Sequence, residues 1–167
     1  MPAIILLIAY ASSTTLPLTA ESLVPRSGGA LLVLLAISIC ANPCEEIGWR
    51  GFALPRLQAR YGPVTASFVV GLLSALWHAP LLLSAPMSAY PLLPWTIGTV
   101  CIAFIATWLY NSTRRSLWVL ALFHVALNTL SAWIGITSFY VYALISLLLA
   151  ALLVIRSATF RRGAAPL

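Results

Sequence analysis

Six apolar stretches of 15 to 20 residues run through this chain, and all but the last of the short links between them contain proline, glycine or arginine. A helix needs about 20 apolar residues to cross the hydrocarbon core of a bilayer. Each stretch is therefore a candidate membrane helix, although the first contains serine and threonine and is the weakest. The stretches lie at 4–18, 30–44, 64–83, 92–110, 117–136 and 139–155. The pattern predicts an all-α, polytopic transmembrane bundle of about five to six helices.

Composition excludes several other classes of protein. The chain is 62% hydrophobic and only 7% charged, whereas an ordinary soluble domain has roughly 25% charged residues, so a water-soluble globule is excluded. The three cysteines have no paired spacing and predict neither a disulfide framework nor a CxxC site. The nine basic residues are all arginines, scattered in small groups, which does not favour binding to nucleic acid.

We expect one membrane core at 29–157, preceded by a weak first membrane helix at 1–28 and followed by a basic cytoplasmic tail at 158–167. The weak first helix is either a remnant or a sign that the sequence is a piece of a longer protein. Eight of the nine arginines follow the second, fourth and sixth stretches. The positive-inside rule then predicts that both termini are cytoplasmic.

Three places in this apolar chain carry ionisable or strongly polar side chains. A charge near the middle of a bilayer costs at least ~2.5 kcal/mol, so such residues need a reason to be there. They are Glu45, Glu46 and Arg50 just after the second stretch, His78 in the third, and His124 and Asn128 in the fifth.

Helical spacing assigns these side chains to faces. Glu46 and Arg50 are four residues apart and share a face, so Arg50 can hold Glu46 ionised. Glu45 is turned about 100° away from Glu46 and is free to meet another partner. His124 and Asn128 are also four apart and point the same way.

Each group alone has an ordinary structural explanation: an ion pair at the interface, a packing histidine, or hydrogen bonds between helices. Their concentration on three helices favours a shared site, and we expect Glu45, His78, His124 and Asn128 to converge in one cavity. A carboxylate and a histidine can move the protons of a hydrolysis, and a second histidine with an amide can stabilise an oxyanion. The residues alone leave a proton relay and a metal site open as well.

The three motifs resemble those of the CPBP family, the CAAX protease and bacteriocin-processing membrane proteins, also called the Abi family. The pattern from Glu45 to Arg50 resembles EExxxR, His78 resembles the histidine of FxxxH, and the pattern from His124 to Asn128 resembles HxxxN. The resemblance covers about 30–136. Ser74 stands where FxxxH has its aromatic residue, and Trp77 next to His78 is available to supply that packing.

The resemblance implies an all-helical intramembrane endopeptidase. Its substrate would be a membrane-associated peptide, either prenylated or bacteriocin-like. It also implies roles for the residues above: Glu45 and His78 would activate water, and His124 and Asn128 would stabilise the oxyanion. Glu46 and Arg50 would support the site.

The family is often labelled a metalloprotease, and Glu45, His78 and His124 could serve as three zinc ligands with an open position. We nevertheless expect no cofactor, because the HExxH signature is absent. In addition, if Glu45 were a zinc ligand, Glu46 would have to be the general base, and a carboxylate paired with an arginine is a poor base. Zinc is the alternative. Two other functions are kept in view: a non-enzymatic immunity or peptide-binding protein, and a small transporter with a proton relay. The expected partners are the lipid bilayer and a peptide or protein substrate, in a bacterial cell membrane.

Overall fold

A computed structural model describes residues 28–82, 91–134 and 139–161 of the chain. All of the regular structure in these ranges is helical, which confirms the all-α prediction. The helices match five of the six predicted stretches, and the stretch at 4–18 lies outside the described residues. The elements are α1 (Gly28–Glu46), a π-helix (Ile47–Ala53), α2 (Leu54–Leu82), α3 (Leu92–Ser112), α4 (Leu117–Ile134), α5 (Phe139–Arg156) and the short α6 (Ala158–Arg161).

The first three elements form one helical stretch that is interrupted near its middle. The apolar helical segment Leu32–Pro80 has 49 residues, and as a straight helix it would be roughly 74 Å long, more than twice the thickness of the hydrocarbon core. Gly62 breaks α2 with a φ of 77°, a conformation that glycine adopts readily. Pro63 then begins the next helical segment, where its missing N–H is not needed. The break therefore divides this stretch into two crossings.

The molecule has polar residues inside and apolar residues outside, which is the arrangement expected in lipid. Within the described residues, Leu32–Pro80 and Leu92–Ser112 are long and apolar enough to span a membrane, and two further apolar helices are shorter. Large apolar side chains lie on the surface, among them Trp118 at 79% exposure and Ile155 at 68%. The buried polar side chains are Ser38, Asn42, Glu46, Arg50, Ser67, Thr107 and Ser146. This arrangement is the one expected of a membrane protein whose apolar exterior faces the bilayer.

Helix α3 is packed closely between α5 and α2. A Cβ atom added to Gly71 of α2 would lie 2.9 Å from the Cα of Val100 in α3. A Cβ added to Gly98 of α3 would lie 2.5 Å from the Tyr142 ring of α5. Small residues at helix contacts let backbones approach closely, and dispersion forces then hold helices together in lipid.

A buried cluster joins α2, α3 and α4 at one end of the bundle. Its members are Leu54, Ala66, Val70, Ala106, Tyr110 and Leu120, with Trp49 and Leu117 among the residues packed around it. Two pairs of arginines flank the same end: Arg56 and Arg60 follow Leu54, and Arg114 and Arg115 follow Tyr110. The cluster therefore gathers the arginines of two predicted cytoplasmic links at one end of the bundle.

The link between α3 and α4 turns tightly at this end. Arg114 and Arg115 have φ values of 53° and 62°, in the left-handed region that most side chains avoid. The Arg115 N–H donates to the carbonyl of Tyr110 at 2.8 Å, and the Ser116 hydroxyl accepts from the Val119 N–H at 3.4 Å. The first bond closes α3 and the second caps α4.

Two further contacts complete the bundle. Helix α1 packs against α4 and so brings the second and fifth predicted stretches together. In the predicted basic tail, α6 buries Phe160, whose ring centre lies 5.9 Å from that of Phe104 in α3.

Candidate active site

A buried carboxylate, Glu46, lies at the centre of the contact between α1 and α4. Glu46 is 2% exposed. Its Oε1 accepts hydrogen bonds from Arg50 Nη1 at 2.9 Å and from His124 Nδ1 at 2.9 Å. The predicted pairing of Glu46 with Arg50 is confirmed. The contact with His124 was not predicted from the sequence. Through it the carboxylate joins α1 to α4, although Glu46 and His124 are 78 residues apart in the chain.

Arg50 comes from the π-helix Ile47–Ala53 and is itself buried. The π-helix ends just before Pro55. In an α-helix the Pro55 ring would meet the carbonyl four residues earlier, that of Gly51, and Pro55 would leave it without a donor. A π turn widens the helix at this point, and such turns are frequent at functional sites. The π-helix that precedes Pro55 therefore also carries the buried Arg50, whose side chain binds Glu46.

A second polar contact lies one helical turn deeper. Asn128 Nδ2 of α4 donates to Asn42 Oδ1 of α1 at 3.5 Å. Asn42 is buried, while Asn128 is exposed. Asn42 precedes Glu46 by four residues just as His124 precedes Asn128 by four, so the two helices run antiparallel with two matched polar contacts. The sequence analysis missed Asn42, although its spacing from Glu46 was a signal.

His78 on α2 has different neighbours. Its Nδ1 lies 2.8 Å from the carbonyl oxygen of Ser74. A carbonyl can only accept, so Nδ1 carries the proton, and in the neutral ring Nε2 is left with a free lone pair. The ring of Trp95 in α3 packs against His78 at 5.6 Å between centres. Trp77, which the sequence offered for this packing, is 47% exposed.

The structure thus brings some of the predicted residues together and leaves others apart. Glu46, Arg50 and His124 form one network, and Asn128 lies next to it through Asn42. Among the described residues, no hydrogen bond links Glu45 or His78 to that network. Glu45 is half-buried and lies beside it in sequence.

His78 and Asn128 each follow a member of the buried cluster along their own helix. Val70 of α2 and Leu120 of α4 belong to that cluster. His78 is eight residues beyond Val70, and Asn128 is eight residues beyond Leu120. Both therefore lie roughly 12 Å along their helices from the cluster.

The alternative metal site would take Glu45, His78 and His124 as its ligands. Within the ranges that the structure describes, no three His, Cys, Asp or Glu side chains lie close enough together to hold a metal ion. His124 directs Nδ1 to Glu46, and His78 directs Nδ1 to a backbone carbonyl. Glu45, His78 and His124 are not gathered around one point as three zinc donors would be, and Nε2 of each ring is the nitrogen left for a metal ion.

Comparison with known proteins places these residues in a family. The family model described as Type II CAAX prenyl endopeptidase Rce1-like matches residues 27–130, a range that contains all six predicted site residues. The chain belongs to this family. A curated relative, CAAX prenyl protease 2 of Methanococcus maripaludis, is 30% identical over 112 residues, which is 62% of this chain and 41% of the relative. The chain therefore spans about two fifths of that relative's length. No solved structure matches the chain.

Proposed function

We propose that this Rce1-like chain is an intramembrane endopeptidase that hydrolyses a peptide bond of a membrane-associated peptide. The observation that carries the proposal is the buried Glu46 carboxylate, which binds Arg50 on its own helix and His124 on another. A buried charge is expensive in lipid unless it is paired and hydrogen-bonded. Family membership then indicates which reaction such a polar centre serves.

In the proposed reaction, Glu45 and His78 activate the attacking water. The Nε2 lone pair of His78 is free to accept a proton, because the Ser74 carbonyl binds Nδ1–H. As the proton leaves, the water oxygen forms a bond to the scissile carbonyl carbon. The same proton is later given to the amine that leaves when the C–N bond breaks.

His124 and Asn128 stabilise the oxyanion that forms in this step. His124 donates from Nδ1 to Glu46, so donation to the oxyanion must come from Nε2, with protons on both ring nitrogens. Glu46 faces the positive charge that this form of the ring carries. Arg50 and Glu46 therefore support the reaction by fixing the ring of His124, rather than by contacting the substrate.

The proposed substrate is a prenylated peptide of the CAAX type, following the printed name of the curated relative. A bacteriocin-like peptide is the alternative within the same reaction class. We propose a location in a bacterial cell membrane with both termini cytoplasmic. The gathering of Arg56, Arg60, Arg114 and Arg115 at one end of the bundle supports this orientation.

We propose that the reaction needs no metal ion. The support is chemical: the HExxH signature is absent, and if Glu45 were a ligand the general base would have to be Glu46, which is paired with Arg50. A zinc-dependent form of the same protease is the alternative. It would require Glu45 and both histidines to come together around the ion.

The decisive experiment compares wild type with Glu45→Gln in membranes, using a prenylated peptide and its unprenylated counterpart. Glu45→Gln is expected to lower kcat by about 100-fold to 10,000-fold, the usual range for a general acid–base group, without loss of folded protein. His78→Ala should behave in the same way. Gln58→Ala, near the start of α2, is the control and should keep its activity.

Three outcomes would change the proposal. Equal turnover by Glu45→Gln would remove Glu45 from the reaction. Cleavage of both peptides at the same rate would remove the prenyl group from substrate recognition. Binding of the peptide without cleavage by wild type would favour the non-enzymatic immunity or peptide-binding function.

A further inference from the structure

Asn42 is a buried amide that neither the sequence motifs nor the proposed reaction uses. It lies on α1, is 3% exposed, and accepts a hydrogen bond through Oδ1 from Asn128 Nδ2. Its own Nδ2 is buried and has no hydrogen-bond partner in the structure. An unsatisfied buried amide destabilises a protein, because it has lost the hydrogen bonds that water would make to it. A leucine of similar size would avoid that cost on a helix that faces lipid.

We propose that Asn42 is a positioning residue that orients the amide of Asn128. The inference rests on the proposed function, because it assumes that Asn128 donates to the oxyanion. An asparagine amide can be rotated so that either its nitrogen or its oxygen faces a given point. Only the nitrogen can donate to an oxyanion. A fixed acceptor at Asn42 Oδ1 selects the orientation in which Asn128 Nδ2 faces α1.

One N–H of Asn128 is then bound to Asn42, and the second N–H is free for the oxyanion. Asn128 itself is exposed, so packing does not fix its side chain. Asn42, in contrast, is held inside the contact between α1 and α4. The buried residue therefore supplies the rigidity that the exposed donor lacks, as catalytic donors need to be held in position before the reaction.

The two contacts between α1 and α4 have matching roles under this proposal. Glu46 fixes the ring of His124, and Asn42 fixes the amide of Asn128. Both anchors lie on one face of α1, four residues apart. Both proposed donors lie on one face of α4 with the same spacing. Helix α1 thus orients the pair of oxyanion donors that α4 presents.

The test is a double-mutant cycle of Asn42→Leu and Asn128→Ala in the full chain, with kcat and KM measured per folded enzyme. Asn42→Leu is expected to lower kcat by about 10-fold to 100-fold with KM nearly unchanged, because the oxyanion exists only in the transition state. In the Asn128→Ala background, Asn42→Leu should lower kcat no further. Ser38→Ala, which removes another buried polar side chain from α1, is the control and should leave kcat unchanged.

Thermal stability separates positioning from a purely structural role. Asn42→Leu removes an unpaired buried donor, so its Tm in detergent should equal or exceed that of wild type. A lower Tm together with independent, additive effects on kcat would overturn the proposal. If wild type cleaves no peptide, the proposed function fails, and the Tm cycle still decides the contact: additive changes in Tm would show that Asn42 and Asn128 do not interact.

Discussion

The contact between α1 and α4 and the contact between α3 and α5 are made by different chemistry. Hydrogen bonds from His124 to Glu46 and from Asn128 to Asn42 join α4 to α1. Close packing joins α3 to α5, where Gly98 lies against the ring of Tyr142. Interhelical hydrogen bonds in membranes contribute only about 0.6 kcal/mol on average. The comparison indicates that packing holds the scaffold, while the polar contact is present for the site it builds.

The largest effect on stability should follow from removing the partner of the buried charge. Arg50→Ala leaves Glu46 ionised, buried and bound only by His124, so the free energy of unfolding should fall by about 3–5 kcal/mol. The matched control is Arg56→Ala. Arg56 is exposed, and among the described residues its partners are the carbonyl of Phe52 and the face of the Phe52 ring. Expression and Tm in detergent measure both variants, and equal values for the two would contradict the role given to Arg50.

The contacts that α3 makes with α2 and α5 should respond to added volume rather than to lost charge. Gly71→Ala places a Cβ atom 2.9 Å from the Val100 Cα, a backbone atom that cannot move aside without shifting the helix. We expect a loss of about 1–3 kcal/mol of stability. Gly48→Ala is the control, since nothing lies within 4 Å of its added Cβ and alanine favours a helix. Unchanged Tm for Gly71→Ala would show that α2 and α3 have room between them.

A smaller effect on kcat is expected at His78, where a proposed reacting side chain is packed by α3. Trp95→Leu removes the ring that packs against His78 from α3 and leaves the bond to Ser74 in place. The imidazole would then be held by one contact, and kcat should fall about tenfold through loss of orientation. Trp77→Leu, next to His78 but on the exposed face, should leave kcat unchanged. The reverse result would restore Trp77 as the packing residue.

The smallest effect should be that of chelation. If the proposed site residues carry out the reaction without a metal ion, incubation of the purified enzyme with a chelator should leave kcat unchanged. Metal analysis should then find less than one zinc ion per chain. Activity that is lost on chelation and regained with zinc would support Glu45, His78 and His124 as ligands. That result would leave the contact between Glu46 and Arg50 as described.

The sequence predicted the parts of this fold that depend on a single helix. Apolar length predicted where helices lie, and four-residue spacing predicted the pairing of Glu46 with Arg50. Which residue of one helix meets which residue of another depends on how each helix is rotated about its axis. The contact of Glu46 with His124, the place of Asn42 and the packing of Trp95 on His78 all depend on that rotation. The π-helix was also missed, because it follows from strain before Pro55 rather than from composition.

The turn at Arg114 and Arg115 has a consequence for how the chain is inserted. Two consecutive non-glycine residues with positive φ are each less stable there than glycine, by about 1–2 kcal/mol. Glycines would suit the geometry, yet they would remove both positive charges from the link between α3 and α4. Under the proposed orientation, those charges keep the link from being translocated as the helical hairpin enters the bilayer. The residues of this turn therefore favour correct membrane topology at the cost of a less stable backbone conformation.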